Sequence, residues 1–141
     1  EANYNQDMTP YNIPFTACHE LSHLRGFMQE EEANFIAWLA CKDAPETELQ
    51  YSGSMLAWIH CMNVLYEEDR TAWSEIREIL SEEADVDLRA NSEFWDKWDG
   101  AVAEVSEQIN DNYLKANGQK DGVQSYGRMA DLVVAYYLWE E

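Results

Sequence analysis

His19-Glu20-Leu21-Ser22-His23, followed by Leu24-Arg25-Gly26-Phe27-Met28-Gln29 and then Glu30-Glu31-Glu32-Ala33-Asn34-Phe35-Ile36-Ala37-Trp38-Leu39-Ala40-Cys41, reads as two helices joined by a turn at Gly26. Four residues of α-helix amount to about 400° of rotation and ~6 Å of rise, so His19 and His23 project from one face, one turn apart. Two neutral imidazoles so placed can chelate one Zn2+ at about 2.0–2.1 Å each. Glu20 is rotated about 100° from His19 and flanks the metal position, within reach of a water that zinc acidifies toward a pKa of roughly 7. It is the expected general base and acid. Leu21 is expected to face away from the metal into the core.

A catalytic zinc needs a third protein ligand and an open position. On a straight helix Glu30 would lie ~10 Å beyond His23, too far to share an ion, so the chain must turn back. Gly26 can do this, because glycine accepts the left-handed conformation that ends helices. A second helix then begins near Glu30 and returns an early carboxylate toward the histidines. Glu30 and Glu32 are both candidates. Glu30 is favoured because Asn34, four residues on, shares its face and is placed to hydrogen-bond a histidine ring or the ligand carboxylate. Acids at a helix start also complement the macrodipole with no metal at all, each by about 0.3–1 kcal/mol.

HExxH followed by Glu-x-x-Ala-Asn-x-x-Ala resembles the gluzincin pattern, in which a glutamate one helix later completes the site and Asp or Asn follows four residues on; Glu30 and Asn34 occupy those places. The same arrangement is found in membrane-embedded CAAX-prenyl-protease-like peptidases. More closely, HELSHLRGFM, EANFIAWLAC and YLKANGQKDGVQSYGRMADLVVAYY resemble an uncharacterised bacterial family whose zincin-like domain follows N-terminal transmembrane helices. That likeness covers nearly the whole chain. It implies a zinc metallopeptidase domain that is the water-exposed part of a bacterial membrane protein, attached through segments outside this chain. Two departures stand beside it. The interval from His23 to Glu30 is shorter than in most gluzincins, and the metzincin pattern HExxHxxGxxH fails at Gln29, a poor zinc ligand.

Composition bounds the remainder. A chain of 141 residues suits one domain, and 46% hydrophobic with 13% aromatic residues excludes a disordered tail. Six tryptophans are expected mostly inside. A net charge of −19 argues against nucleic acid or anionic lipid as a direct partner and suits a neutral or basic peptide substrate. Cys18, Cys41 and Cys61 have no CxxC spacing and leave an odd one in any disulfide scheme, so they read as small buried residues. Cys18 adjoins His19 but points about 100° from it and is discounted as a ligand. No run of 18 apolar residues and no signal peptide occurs. The chain starts at Glu1 rather than methionine, which suggests a fragment.

The layout is mainly α, a single helical zincin-like domain over residues 15–141 with little or no sheet, preceded by an extended leader, 1–14, punctuated by Pro10 and Pro14. The motif helix is expected at about 15–25 and the second at 30–42. Tyr51, Met55, Ile59, Met62 and Tyr66 mark an amphipathic helix over 46–67. His60 lies just off that stripe and reads as a packed or surface histidine, with a transition-state donor as the sharper alternative. Thr71 is expected to cap a helix to about 82, a loop to follow at Asp85–Ala90, and Asn91 or Ser92 to cap a helix bearing Phe94, Trp98, Val102, Val105 and Ile109. The Asn117-Gly118 and Asp121-Gly122 pairs mark a loop before a last helix at 122–139. Zincins need a donor for the tetrahedral oxyanion, and Tyr126 and Arg128 are the candidates, with Asp131 to orient a histidine. The same residues also suit an internal salt bridge. The competing expectation is a non-catalytic metal-binding or sensory module, against which the retained Glu20 speaks.

Overall fold

The motif helix ends where glycine permits it to end. In the computed structural model, which describes residues 1–97 and 127–140, α1 (Asn12–Leu24) stops at Gly26, whose φ is +102°. Gly26 donates its N–H to the His23 carbonyl at 3.0 Å, and Phe27 donates to the Ser22 carbonyl at 3.2 Å. This is the paired closure of a Schellman turn, and it satisfies carbonyls that a helix end otherwise leaves orphaned. The reversal lets α2 (Glu30–Lys42) run back along α1. Glu30, Glu31 and Glu32 all fall in the first turn of α2, where its unpaired N–H groups favour negative charge.

Against this pair lies α3 (Thr47–Glu68), whose small residues Ser52 and Gly53 let it approach both helices. Ser52, completely buried, enters the first turn of α1: its hydroxyl accepts the Phe15 N–H at 3.0 Å and donates to the Tyr11 carbonyl. That bridge replaces a direct bond between Phe15 and Tyr11. Pro14, also in that turn, has no N–H to satisfy. Gly53 meets α2 so closely that a Cβ there would stand 2.6 Å from the Cys41 Cβ.

Two short helices follow, α4 (Arg70–Glu78) and α5 (Glu82–Asp96), and the last described helix is α6 (Arg128–Glu140). The main core joins Phe15 of α1, Ala37, Trp38 and Cys41 of α2, Ala57 of α3, and Met129 and Val133 of α6. A smaller cluster of Tyr11, Met55 and Ala84 packs α5 against the other side of α3. The result is one mainly α domain with no strand among the described residues. No helix among them is long and apolar enough to cross a membrane.

Several expectations are corrected. Residues 1–14 are not all extended, since α1 starts at Asn12 and Met8, Thr9, Tyr11 and Asn12 are buried. The leader is held by Asn91, whose Oδ1 accepts from Asn12 Nδ2 at 2.6 Å, Thr9 Oγ1 at 3.2 Å and Trp95 Nε1 at 3.1 Å. Asn91 is therefore inside a helix rather than capping one. The expected loop at Asp85–Ala90 is helical, because Ser81 caps α5 through the Ala84 N–H and Asp85 pairs with both Arg77 and Arg89. Asp69, not Thr71, caps α4, accepting from the N–H groups of Thr71 and Ala72. Leu21 is 53% exposed, since Phe15 and Ser22 take the inward face of α1. Of the five described tryptophans only Trp38 is buried; Trp139 is 91% exposed. The α3 stripe is half right: Met55 and Met62 are buried, but Tyr51 and Tyr66 lie at the surface. Trp98, Val102, Val105 and Ile109, the glycine turns at Gly118 and Gly122, the start of the last helix at 122, and Tyr126 lie outside the described residues.

The two structural glycines fail differently when replaced. Gly26→Ala has open space but a forbidden backbone, and is expected to lose about 1–2 kcal/mol. Gly53→Ala has an allowed backbone but no space, and is expected to lose about 1–3 kcal/mol through overpacking against Cys41. Urea unfolding of both variants measures this, and an unchanged midpoint for Gly53→Ala would contradict the close approach of α3 to α2.

Candidate metal centre

The Gly26 turn brings together three of the side chains singled out in the sequence. His19 Nε2 and His23 Nε2 stand 3.0 Å apart, with their rings edge to face at 85°. The Glu30 carboxylate spans both, Oε2 at 3.3 Å from His19 Nε2 and Oε1 at 3.5 Å from His23 Nε2. Among the described residues this is the one group of three or more His, Cys, Asp or Glu side chains whose ligand atoms converge. Ligands bound tetrahedrally at zinc-type distances lie about 3.4 Å from one another. The three separations bracket that value, so these residues fit a divalent ion with nitrogen and oxygen ligands.

The turn also sets the tautomer of one histidine. His23 Nδ1 lies 2.7 Å from the Phe27 carbonyl oxygen. A carbonyl only accepts, so Nδ1 carries a proton and donates it, which leaves Nε2 as the nitrogen turned toward the cluster and available to a metal. Phe27 is the residue just after Gly26. His19 Nδ1 is buried with no hydrogen-bond partner among the described residues.

The three successive acids of α2 diverge by about 100° each, as helical geometry dictates. Glu30 faces the histidines. Glu31 is buried and pairs with Arg128 at 3.4 Å, and Glu32 points to solvent. The geometry thus separates Glu30 from Glu32, which the sequence left open. The His19 hydrogen bond, opposed by burial and aided by the charges of both rings, holds the Glu30 carboxyl below the usual glutamate range.

A cleft of about 340 Å3 opens beside the cluster. Helix α1 lines it with Thr16, His19 and Glu20, α2 with Glu30 and Asn34, and α3 with Leu56 and His60. Glu20 therefore shares the cleft with His19 and Glu30. So does His60, which the sequence reading set among packed or surface histidines. Its one sequence signal was a position four residues after Leu56 on α3, and nothing local says that α3 crosses the mouth of the motif. Asn34 is buried on the cleft wall but has no hydrogen bond to either histidine or to Glu30 among the described residues. Arg128 begins α6, half exposed and tied to Glu31, and is not one of the residues lining the cleft. Asp131 is exposed, and the partner of His23 Nδ1 is the Phe27 carbonyl. Cys18 turns from the cluster and puts its sulfur 3.9 Å from that of Cys41. Burial first, and then the neighbouring thiol, push Cys41 up to about 12.

A mainly α-helical domain with a His/His/Glu cluster beside a glutamate-bearing cleft is the class that fold and site define. The chain belongs to the DUF3810 family, described as proteins of unknown function, whose family model matches residues 1–134. No curated protein and no solved structure matches the chain.

The depressed Glu30 pKa has a definite sign. Its stabilisation is present above the unfolded glutamate value of about 4.3 and is lost as pH falls through the lower folded value. In chelator-treated protein, Glu30→Gln is expected to flatten the fall in stability on the acid side of about pH 4.3. Urea midpoints between about pH 3 and 6 would test this, and parallel curves for the variant and wild type would contradict the His19–Glu30 contact.

Proposed function

We propose that this chain is a zinc-dependent peptidase domain of the gluzincin kind, in which His19, His23 and Glu30 hold the ion and Glu20 is the general base. The observation that carries the reading is the convergence of three ligand atoms on one point, with Glu20 on the cleft that His19 and Glu30 line. Structural zinc sites are closed by four protein ligands, whereas three converge here among the described residues, which leaves room for a reacting group.

A zinc ion held by His19, His23 and Glu30 would supply Lewis-acid polarisation of a substrate carbonyl and a more acidic water. Glu20 would accept a proton from the attacking water and return it to the departing amine. His23, fixed by the Phe27 carbonyl, keeps Nε2 turned inward. His60, across the cleft on α3, is the described side chain best placed to donate a hydrogen bond to the oxygen that gains charge. Arg128 and Tyr126 remain the other donors proposed for that role. Phe15 and Leu56 give the cleft an apolar wall for a substrate side chain. The charge of −19 favours a neutral or basic peptide and disfavours nucleic acid. The proposed setting is the aqueous face of a bacterial membrane protein, with anchoring segments outside this chain.

Glu20→Gln is expected to keep zinc at wild-type stoichiometry by elemental analysis while cleavage of a peptide library falls at least about 100-fold. Glu30→Ala and His19→Ala are expected to lose the metal, and chelation to lower the thermal midpoint of the wild type. Undiminished cleavage by Glu20→Gln would refute the assigned mechanism, and a wild type that takes up no zinc would refute the site.

A further inference from the structure

The sequence leaves three thiols and no spacing by which to pair them. The fold makes the choice. Cys18 of α1 and Cys41 of α2 bring their sulfurs to 3.9 Å, whereas Cys61 of α3 packs against the core with no sulfur contact. A disulfide requires about 2.0 Å between sulfurs, so the pair must close by roughly 2 Å. Gly53 of α3 packs against Cys41, so closely that a methyl group there would clash with the Cys41 Cβ at 2.6 Å, and this contact holds Cys41 in place. Cys18 is partly exposed, and so gives a reagent access to a pair whose other member is fully buried.

We propose that Cys18 and Cys41 are a modification site, a dithiol that oxidises reversibly to a disulfide stapling α1 to α2 one residue ahead of His19. The oxidant is a low-molecular-weight disulfide of the glutathione class. The Cys18 sulfur bonds to one sulfur of the reagent, its proton passes to solvent, and the other half leaves as a thiolate. The Cys41 sulfur then attacks the Cys18 sulfur of this mixed disulfide, gives up its own proton, and expels the second half. Two protein thiols are oxidised to one disulfide, and one reagent disulfide is reduced to two thiols. The bond joins the two helices that carry His19, His23 and Glu30, so oxidation fixes their spacing. The cross-link stands on the sulfur geometry alone; its effect on the cluster rests on the metal reading.

The test treats the native chain with oxidised glutathione, then denatures it, alkylates free thiols and maps peptides by mass. The expected product is about 2 Da lighter than reduced protein before alkylation, carries one alkylated cysteine, Cys61, and yields a Cys18–Cys41 linked peptide. Its thermal midpoint is higher, and dithiothreitol restores the original value. Cys61→Ala must give the same link, and Cys18→Ser must abolish it. Three alkylated cysteines after oxidation, a stable glutathione adduct on Cys18, or a link that includes Cys61 would each overturn the proposal. Zinc uptake by the reduced protein is measured separately, so failure of the metal reading and failure of the disulfide are distinguished.

Discussion

Everything at the site depends on one chain reversal. A continuous helix would carry Glu30 ~10 Å past His23, and no side-chain rotation recovers that distance. The positive φ of Gly26 removes the problem within three residues. The same turn delivers the Phe27 carbonyl to His23 Nδ1, so the backbone that brings Glu30 to the histidines also places a proton on His23 Nδ1. The make-up of the cluster and the orientation of one of its rings are thus two results of one local conformation.

Close packing then converts a helical hairpin into a cleft. Ser52 and Gly53 let α3 come near both α1 and α2, the first by bridging the start of α1 and the second by offering no side chain to Cys41. About one and two turns of helix further on, that approach puts Leu56 and His60 on the same cleft as Glu20. Charge is partitioned at the same place. Glu30 faces two imidazoles while its neighbour Glu31 is neutralised by Arg128 from α6, so adjacent acids serve the cluster and the helix packing separately.

The parts legible in the sequence share a property: their cause is local. The pairing of His19 with His23, the reversal at Gly26 and the bounds of α2 follow from helical periodicity and from the conformation that glycine alone tolerates easily. Some expectations fail because the deciding partners come from elsewhere in the fold. Leu21 looked like a core residue by type but lies on an exposed face of α1 that no helix among the described residues covers. Asn91 looked like a helix cap and is instead the acceptor for Thr9 and Asn12, some eighty residues earlier. The expected loop at Asp85–Ala90 is helix for a local reason, since Arg77 and Arg89 hold Asp85 and Ser81 caps the start.

The sequence by itself determined the donor atoms, their spacing along one helix and the turn that returns a carboxylate, because each is set by backbone geometry within a few residues. Only the tertiary structure decided that Glu30 rather than Glu32 closes on the histidines, that His60 lines the same cleft as His19 and Glu30, and that Cys18 faces Cys41. Those outcomes depend on the rotation of α2 about its axis and on how closely α3 approaches. Both are fixed by packing between helices, where a shift of one residue turns a side chain by about 100° and exchanges the cleft for solvent.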